Sequence, residues 1–149
     1  MTDKFDELEK EIMEAMRKVY TETAIDHAMN PRNMGKIPNR DGFGSATSSC
    51  GETMEIRLKA KDDRITDVAF WTDGCSTTAA CGSMATEIIR GENMAQALAI
   101  NQDDILNALG GLPESNHHCA QLAANAVRAA IQDYIAIRKE PWKKAYRKC

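Results

Sequence analysis

Three cysteines in this chain stand next to residues that change what a thiol can do. Cys50 is followed by Gly51 and Glu52, which puts a thiol and a carboxylate on either side of a conformationally free residue. Cys75 follows Gly74 and opens a helix-like run, and Cys119 follows His118. Thiolate and imidazole are ligands for iron and zinc, and a carboxylate can complete such a set. A helix N-terminus offers free N–H groups and a partial positive charge, both of which favour thiolate over thiol. Cys75 lies at such an end, and so does Cys119 if Ser115 caps the helix that contains it. Glu52 would reach an ion held by Cys50, and His118 could ligate it or carry a proton near neutral pH.

Each of these residues also has a plainer reading. Free cysteine is among the most buried residue types. Cys119 continues an apolar helical stripe, and Cys81 shares a face with Met84 and Ile88. Cys75 and Cys81 lie about 120° apart on an ideal helix, so they do not face one metal. Glu52 can be an exposed strand-entry residue. His117 points about 100° away from His118, toward solvent or a partner. His27 can cap a helix, and Cys149 is a terminal bystander. The five cysteines are odd in number, irregularly spaced and without a C-x-x-C pair, which argues against a disulfide framework, a thioredoxin-type pair or a zinc ribbon.

The elements that would position these residues follow from periodicity. Phe5, Leu8, Ile12, Met16 and Val19 recur at helical steps, predicting a helix over 4–29. The stretch 30–44, with two prolines and three glycines, reads as an ordered loop. Residues 53–60 alternate Met54, Ile56 and Leu58 with Glu55, Arg57 and Lys59, the pattern of a strand with one wet face. "KDDR" turns the chain into a second strand, 65–72, and 44–50 reads as a third. Helices follow: one from Cys75 with Gly91 as its stop, a short one at "MAQALA", one over "NQDDILNALGG", and a long one from "PESNHHCAQL" onward. Strands first and helices after predict an α+β fold, a three-stranded antiparallel sheet with helices packed on one face.

Composition narrows the function classes. The chain has 149 residues, 43% hydrophobic and 28% charged, as in an ordinary globular domain. A net charge of −3 gives no general affinity for nucleic acid. No apolar run is long enough to cross a bilayer, and the acidic start resembles neither a signal nor a transit peptide, so a cytoplasmic location is expected.

Taken together, Tyr20 with "DHAMNPRNMG" (26–35), "CGETMEI" at Cys50, "TDGCSTTAACGSM" at Cys75 and "HCAQLAANAVRAAI" at Cys119 resemble the IscU-type scaffold family, the domain also found at the N-terminus of NifU. The resemblance covers roughly 20–137. It implies a scaffold domain there, preceded by a helical extension at 1–19 and followed by a basic tail at 138–149. It further implies a transient [2Fe-2S] cluster held by Cys50, Cys75 and Cys119, with Glu52 and His118 completing the metal site. Iron and persulfide sulfur from a cysteine desulfurase would be assembled there and passed to recipient apo-proteins. Zinc is a possible substitute in the absence of the cluster, and a homodimer is possible. The chain is then a carrier rather than an enzyme, with no nucleic-acid or membrane partner.

The departures from the family pattern matter. Glu52 stands where the family usually has Asp. "LPESNHHC" replaces the L-P-P-V-K segment of members that use a dedicated Hsp70, with Glu114 for the second proline and Asn116 for the lysine, which implies transfer without that chaperone. The long insertion of the SufU-like zinc-containing acceptors is absent. The alternatives to a scaffold are a cysteine-dependent sulfurtransferase, a zinc-binding structural module and a permanent [2Fe-2S] redox carrier.

Overall fold

The computed structural model describes residues 3–140 and 142. The alternating segments form an antiparallel hairpin: β2 (Thr53–Lys61) pairs with β3 (Arg64–Thr72), and β1 (Gly42–Thr47) pairs antiparallel with β2 to give the order β1-β2-β3. The β2–β3 turn is a two-residue loop whose Asp62 and Asp63 both take positive φ, 54° and 67°, as a turn matched to the twist of its strands requires.

The predicted single helix over 4–29 is two. α1 (Asp3–Val19) ends, Tyr20 and Thr21 turn the chain, and α2 (Glu22–Met29) begins. Thr21 explains the break: its side chain accepts the Ala24 N–H at 3.0 Å and donates to the Leu109 carbonyl. The apolar stripe stops at Val19, two residues short of this cap, and nothing in its period marks the break. α1 projects from the body, with Phe5, Leu8, Ile12 and Val19 all exposed.

After the sheet come α3 (Ser76–Ile89), α4 (Met94–Leu98), α5 (Gln102–Ala108) and α6 (His117–Lys139), the last preceded by a 3-10 turn over Glu114–Asn116. Gly91 takes φ 85° just past the end of α3, as its predicted stop requires. Asn93 and Asn101 both form capping boxes, with Gln96 and Asp104. α3 lies on β3, and α6 on β1 and β2, so the helices cover one sheet face. Met54, Ile56, Leu58, Val68 and Phe70 meet Leu122, Ala126, Val127 and Ile131 there, all buried.

The approach of α6 to β1 is close. A Cβ on Gly44 would stand 2.1 Å from the Ala130 amide nitrogen, so only glycine lets the helix backbone rest on the strand. This contact sets where the ends fall. From Ala130 back to Cys119 is about 16 Å of helix, and from Gly44 to Thr47, where β1 ends, is about 10 Å of strand, with Ser48 and Ser49 carrying the chain on into the turn. The N-terminus of α6 therefore meets the β1–β2 turn, and Thr47, Ser48 and Ser49 line a hollow with His118, Leu122 and Asn125.

The opposite sheet face is not wet throughout, as the alternation suggested. The segment from Asn33 bonds along β3, with Gly35 N–H to Phe70 O and Phe70 N–H to Asn33 O, both 2.9 Å. It then runs to β1, burying Ile37, and Arg57 beneath it is only 6% exposed. At the far margin, the outward Phe43 N–H is taken by Asp133 of α6 at 2.7 Å.

Candidate metal-binding site

Three segments meet at one end of the molecule: the β1–β2 turn, the start of α3 and the start of α6. The first is a tight hairpin loop. Ser48 accepts the Gly51 N–H at 3.0 Å and donates its own N–H to the Glu52 carbonyl at 2.8 Å, and Gly51 holds φ 89°. This is the three-residue loop closed by a left-handed glycine. Cys50 was expected at the edge of a strand running to residue 50. Because β1 ends at Thr47, Cys50 instead occupies the tip of this turn and is exposed. Gly51 is held by the turn and does not act as a loose joint.

Cys75 is the N-cap residue of α3, and its thiol is exposed. Burial pushes the thiol up, but the N–H groups of Thr78 and Thr77 and the Thr78 hydroxyl outweigh it, leaving Cys75 below the ordinary thiol range. None of these amides makes a full capping hydrogen bond to the sulfur. Gly74 is needed for space: a Cβ there would lie 2.8 Å from the Thr78 side chain.

Cys119 lies in the first turn of α6, although the cap is Asn116 rather than Ser115, which falls within the 3-10 turn. Cys119 is 1% exposed. It belongs to the buried core cluster, and its thiol touches Thr78 and His118. Its Sγ is 3.3 Å from Thr78 Oγ1 and 3.6 Å from His118 Nε2. Burial raises its pKa; the Thr78 hydroxyl opposes this, and the negative charge of Glu52 and Cys75 adds to it.

Ligand atoms of Glu52, His118 and Cys119 all lie within 4.8 Å of one another, a separation one ion can bridge. Glu52 and His118 are half-buried. The longer Glu52 side chain reaches inward, its Oε2 accepting from Thr78 Oγ1 at 2.9 Å. Cys75 stands one step away through the same hydroxyl, with Sγ 3.6 Å from Thr78 Oγ1. Cys50 belongs to the adjoining turn but not to this close set.

Thr78 was missed in the sequence. It is fully buried and touches Glu52, Cys75 and Cys119 with one oxygen. Its only signal was its position three residues after Cys75, on the same side of the first helical turn. His117 turns back rather than facing solvent, with Nε2 3.0 Å from the Leu112 carbonyl. His27 does not cap α2: it is buried, and its Nδ1 pairs with Ser83 Oγ at 2.7 Å, tying α2 to α3. Cys81 is wholly buried in the core, and Cys149 lies outside the described residues. Beside Cys75 opens a largely apolar hollow of about 360 Å³, lined by Tyr20, Ile25, Ala80 and Leu112 among others. No helix among the described residues is long and apolar enough to cross a membrane.

The family model described as NifU-like N terminal domain matches residues 19–141. The iron-sulfur cluster assembly scaffold protein IscU 1 of Archaeoglobus fulgidus is 47% identical over 118 residues, covering 78% of this chain and 77% of that protein. The scaffold protein IscU of Escherichia coli K12 is 39% identical over 125 residues, 80% of this chain and 97% of that one. Among solved structures, the N-terminal part of a NifU-like protein from Brucella abortus superposes with a TM-score of 0.63 at 21% identity, over 81% of this chain and 97% of that one, a likeness of fold.

Proposed function

The chain belongs to the NifU-like N terminal domain family, and from that premise we propose that it is a scaffold on which an iron–sulfur cluster is assembled and from which it is handed on. The observation that carries this reading is the convergence of Glu52, His118 and Cys119 around Thr78, beside the exposed Cys75 and the Cys50 turn. We take the cargo to be a [2Fe-2S] cluster bound by Cys50, Cys75 and Cys119, with Glu52 or His118 as the exchangeable ligand.

The chemistry favours release over retention. Four thiolates hold a cluster permanently, as in ferredoxins. A site offering three thiols plus a carboxylate and an imidazole provides ligands that protonation can detach. Cys50 on an exposed turn is reachable by a partner, and Cys75 is already biased toward thiolate. Sulfur would come from a cysteine desulfurase and the cluster would leave to apo-proteins, in the cytoplasm.

Anaerobic reconstitution with iron and a desulfurase, followed by visible spectroscopy and transfer to apo-ferredoxin, tests this. A cluster that forms and then leaves supports the scaffold. A cluster that cycles redox without loss indicates a carrier, and retention of zinc with no colour indicates a structural zinc module. Catalytic turnover on small thiols indicates a sulfurtransferase.

A further inference from the structure

α1 carries apolar surface that no other element covers. Phe5 is 75% exposed, and Leu8, Ile12 and Val19 are each more than half exposed. Ala15, which continues the row, is exposed too. These five residues are spaced by three, four, three and four, the a and d positions of a heptad pattern sustained along the helix. The body is met by a different side of α1, through the half-buried Met13 and Met16. A continuous apolar stripe left open in this way is a contact surface, unlike singly scattered apolar residues.

Charge decides what fits the stripe. Between Lys4 and Glu14 the helix holds five carboxylates and two lysines, whereas its last turn holds Arg17 and Lys18 and no carboxylate. That polar side is too acidic for a lipid surface, which selects Lys and Arg. A second α1 running the opposite way matches it. Each acidic stretch then meets the basic end of the other helix, and the opposed helix dipoles attract. A parallel partner would lay the two acidic stretches side by side. Antiparallel seams set a positions against d positions, so Leu8 lies level with Val19 of the partner subunit and Ile12 with Ala15 of the partner subunit. In this register Glu11 comes beside Lys18 of the partner subunit along the flank of the seam. Neither Glu11 nor Lys18 makes an ion pair among the described residues, so both are available. We propose that two copies of this chain associate through antiparallel α1 helices, with Phe5, Leu8, Ile12, Ala15 and Val19 as the seam and Glu11 and Lys18 fixing its direction. The contact is two-fold, each copy giving and receiving the same residues. Its few layers bury little surface, so the dissociation constant is on the order of tens of micromolar. In dilute solution the monomer prevails, and the body folds without the contact.

Sedimentation equilibrium of the full chain, from tenfold below that concentration to tenfold above it, tests the proposal. A reversible monomer–dimer equilibrium is expected. Leu8→Glu, an exposed change to another good helix former, is expected to weaken it at least about tenfold. Glu11→Lys and Lys18→Glu each turn two attractive pairs into two repulsive ones and are each expected to weaken it about fivefold. The double variant Glu11→Lys/Lys18→Glu is expected to regain the parent affinity. A chain that stays monomeric throughout overturns the proposal and leaves the seam to a different protein. A dimer that Leu8→Glu does not weaken forms through another surface and overturns it as well. Single charge variants without effect, or losses that the double variant does not recover, exclude the antiparallel register, and the proposal falls with it.

Discussion

Thr78 has one hydroxyl hydrogen, and three acceptors lie within its reach, the Glu52 carboxylate and the sulfurs of Cys119 and Cys75. It serves one at a time, so the hydrogen bonding of Glu52, Cys119 and Cys75 is linked through one atom. Thr78→Val keeps the shape and removes the link. The apo-protein is expected to lose about 1 kcal/mol, read as a lower denaturation midpoint. Cys75 then loses the hydroxyl that lowers its pKa, so its alkylation by iodoacetamide shifts to higher pH. In the parent protein, Cys50 and Cys75 are expected to be alkylated first. Cys119, covered and harder to ionise, follows slowly, and Cys81 reacts only on unfolding, as mass spectrometry over time would read. The ligand candidates were legible in the sequence because thiols, an imidazole and a carboxylate are chemically rare and recognisable in context. Thr78 was not, since a threonine inside a helix start looks like any other. Arg57 was misread because strand alternation assigns a face but does not say what covers it.

At the scale of elements, the hairpins and the four later helices were legible because their periods, caps and turn residues act locally. The α1–α2 break at Thr21 was not, because its partner, the Leu109 carbonyl, is 88 residues away. The glycines separate two kinds of requirement. Gly51→Ala meets no neighbour and costs only left-handed backbone strain, about 1 kcal/mol. Gly44→Ala drives a methyl into the α6 backbone and is expected to cost about 3 kcal/mol, with a correspondingly larger fall in melting temperature. The α2–α3 seam carries a pH dependence. Burial lowers the His27 pKa from its usual value near 6.5, with Arg32 adding to the effect. The unfolded chain therefore binds the proton more readily. His27 contributes stability that is fully present above pH 6.5 and is lost as pH falls through its depressed folded value. Urea unfolding at a series of pH values from 7.5 to 4.5 should show that loss, and His27→Gln should flatten it.

For the whole molecule, stability resides in the sheet and the helices that cover it, and the site is assembled where three of their ends coincide. α1 stands outside this body, so its exposed apolar residues contribute little to folding. Leu8→Ser and Ile12→Ser are each expected to change stability by no more than about 0.5 kcal/mol, which chemical denaturation would verify. The convergence of the three segments could not be read from spacing, because it depends on how closely α6 lies on β1, a distance fixed by glycine and alanine rather than by any residue that does chemistry.

Both lateral margins of the sheet are claimed in part: the 33–35 segment bonds to β3 at Phe70, and Asp133 takes the outward amide of Phe43 on β1. Unpaired strand margins invite another chain to zip on, the first step toward swapped dimers and fibrils. Where these groups are taken, a visiting chain finds no backbone to extend, and contact there falls to side chains and loops.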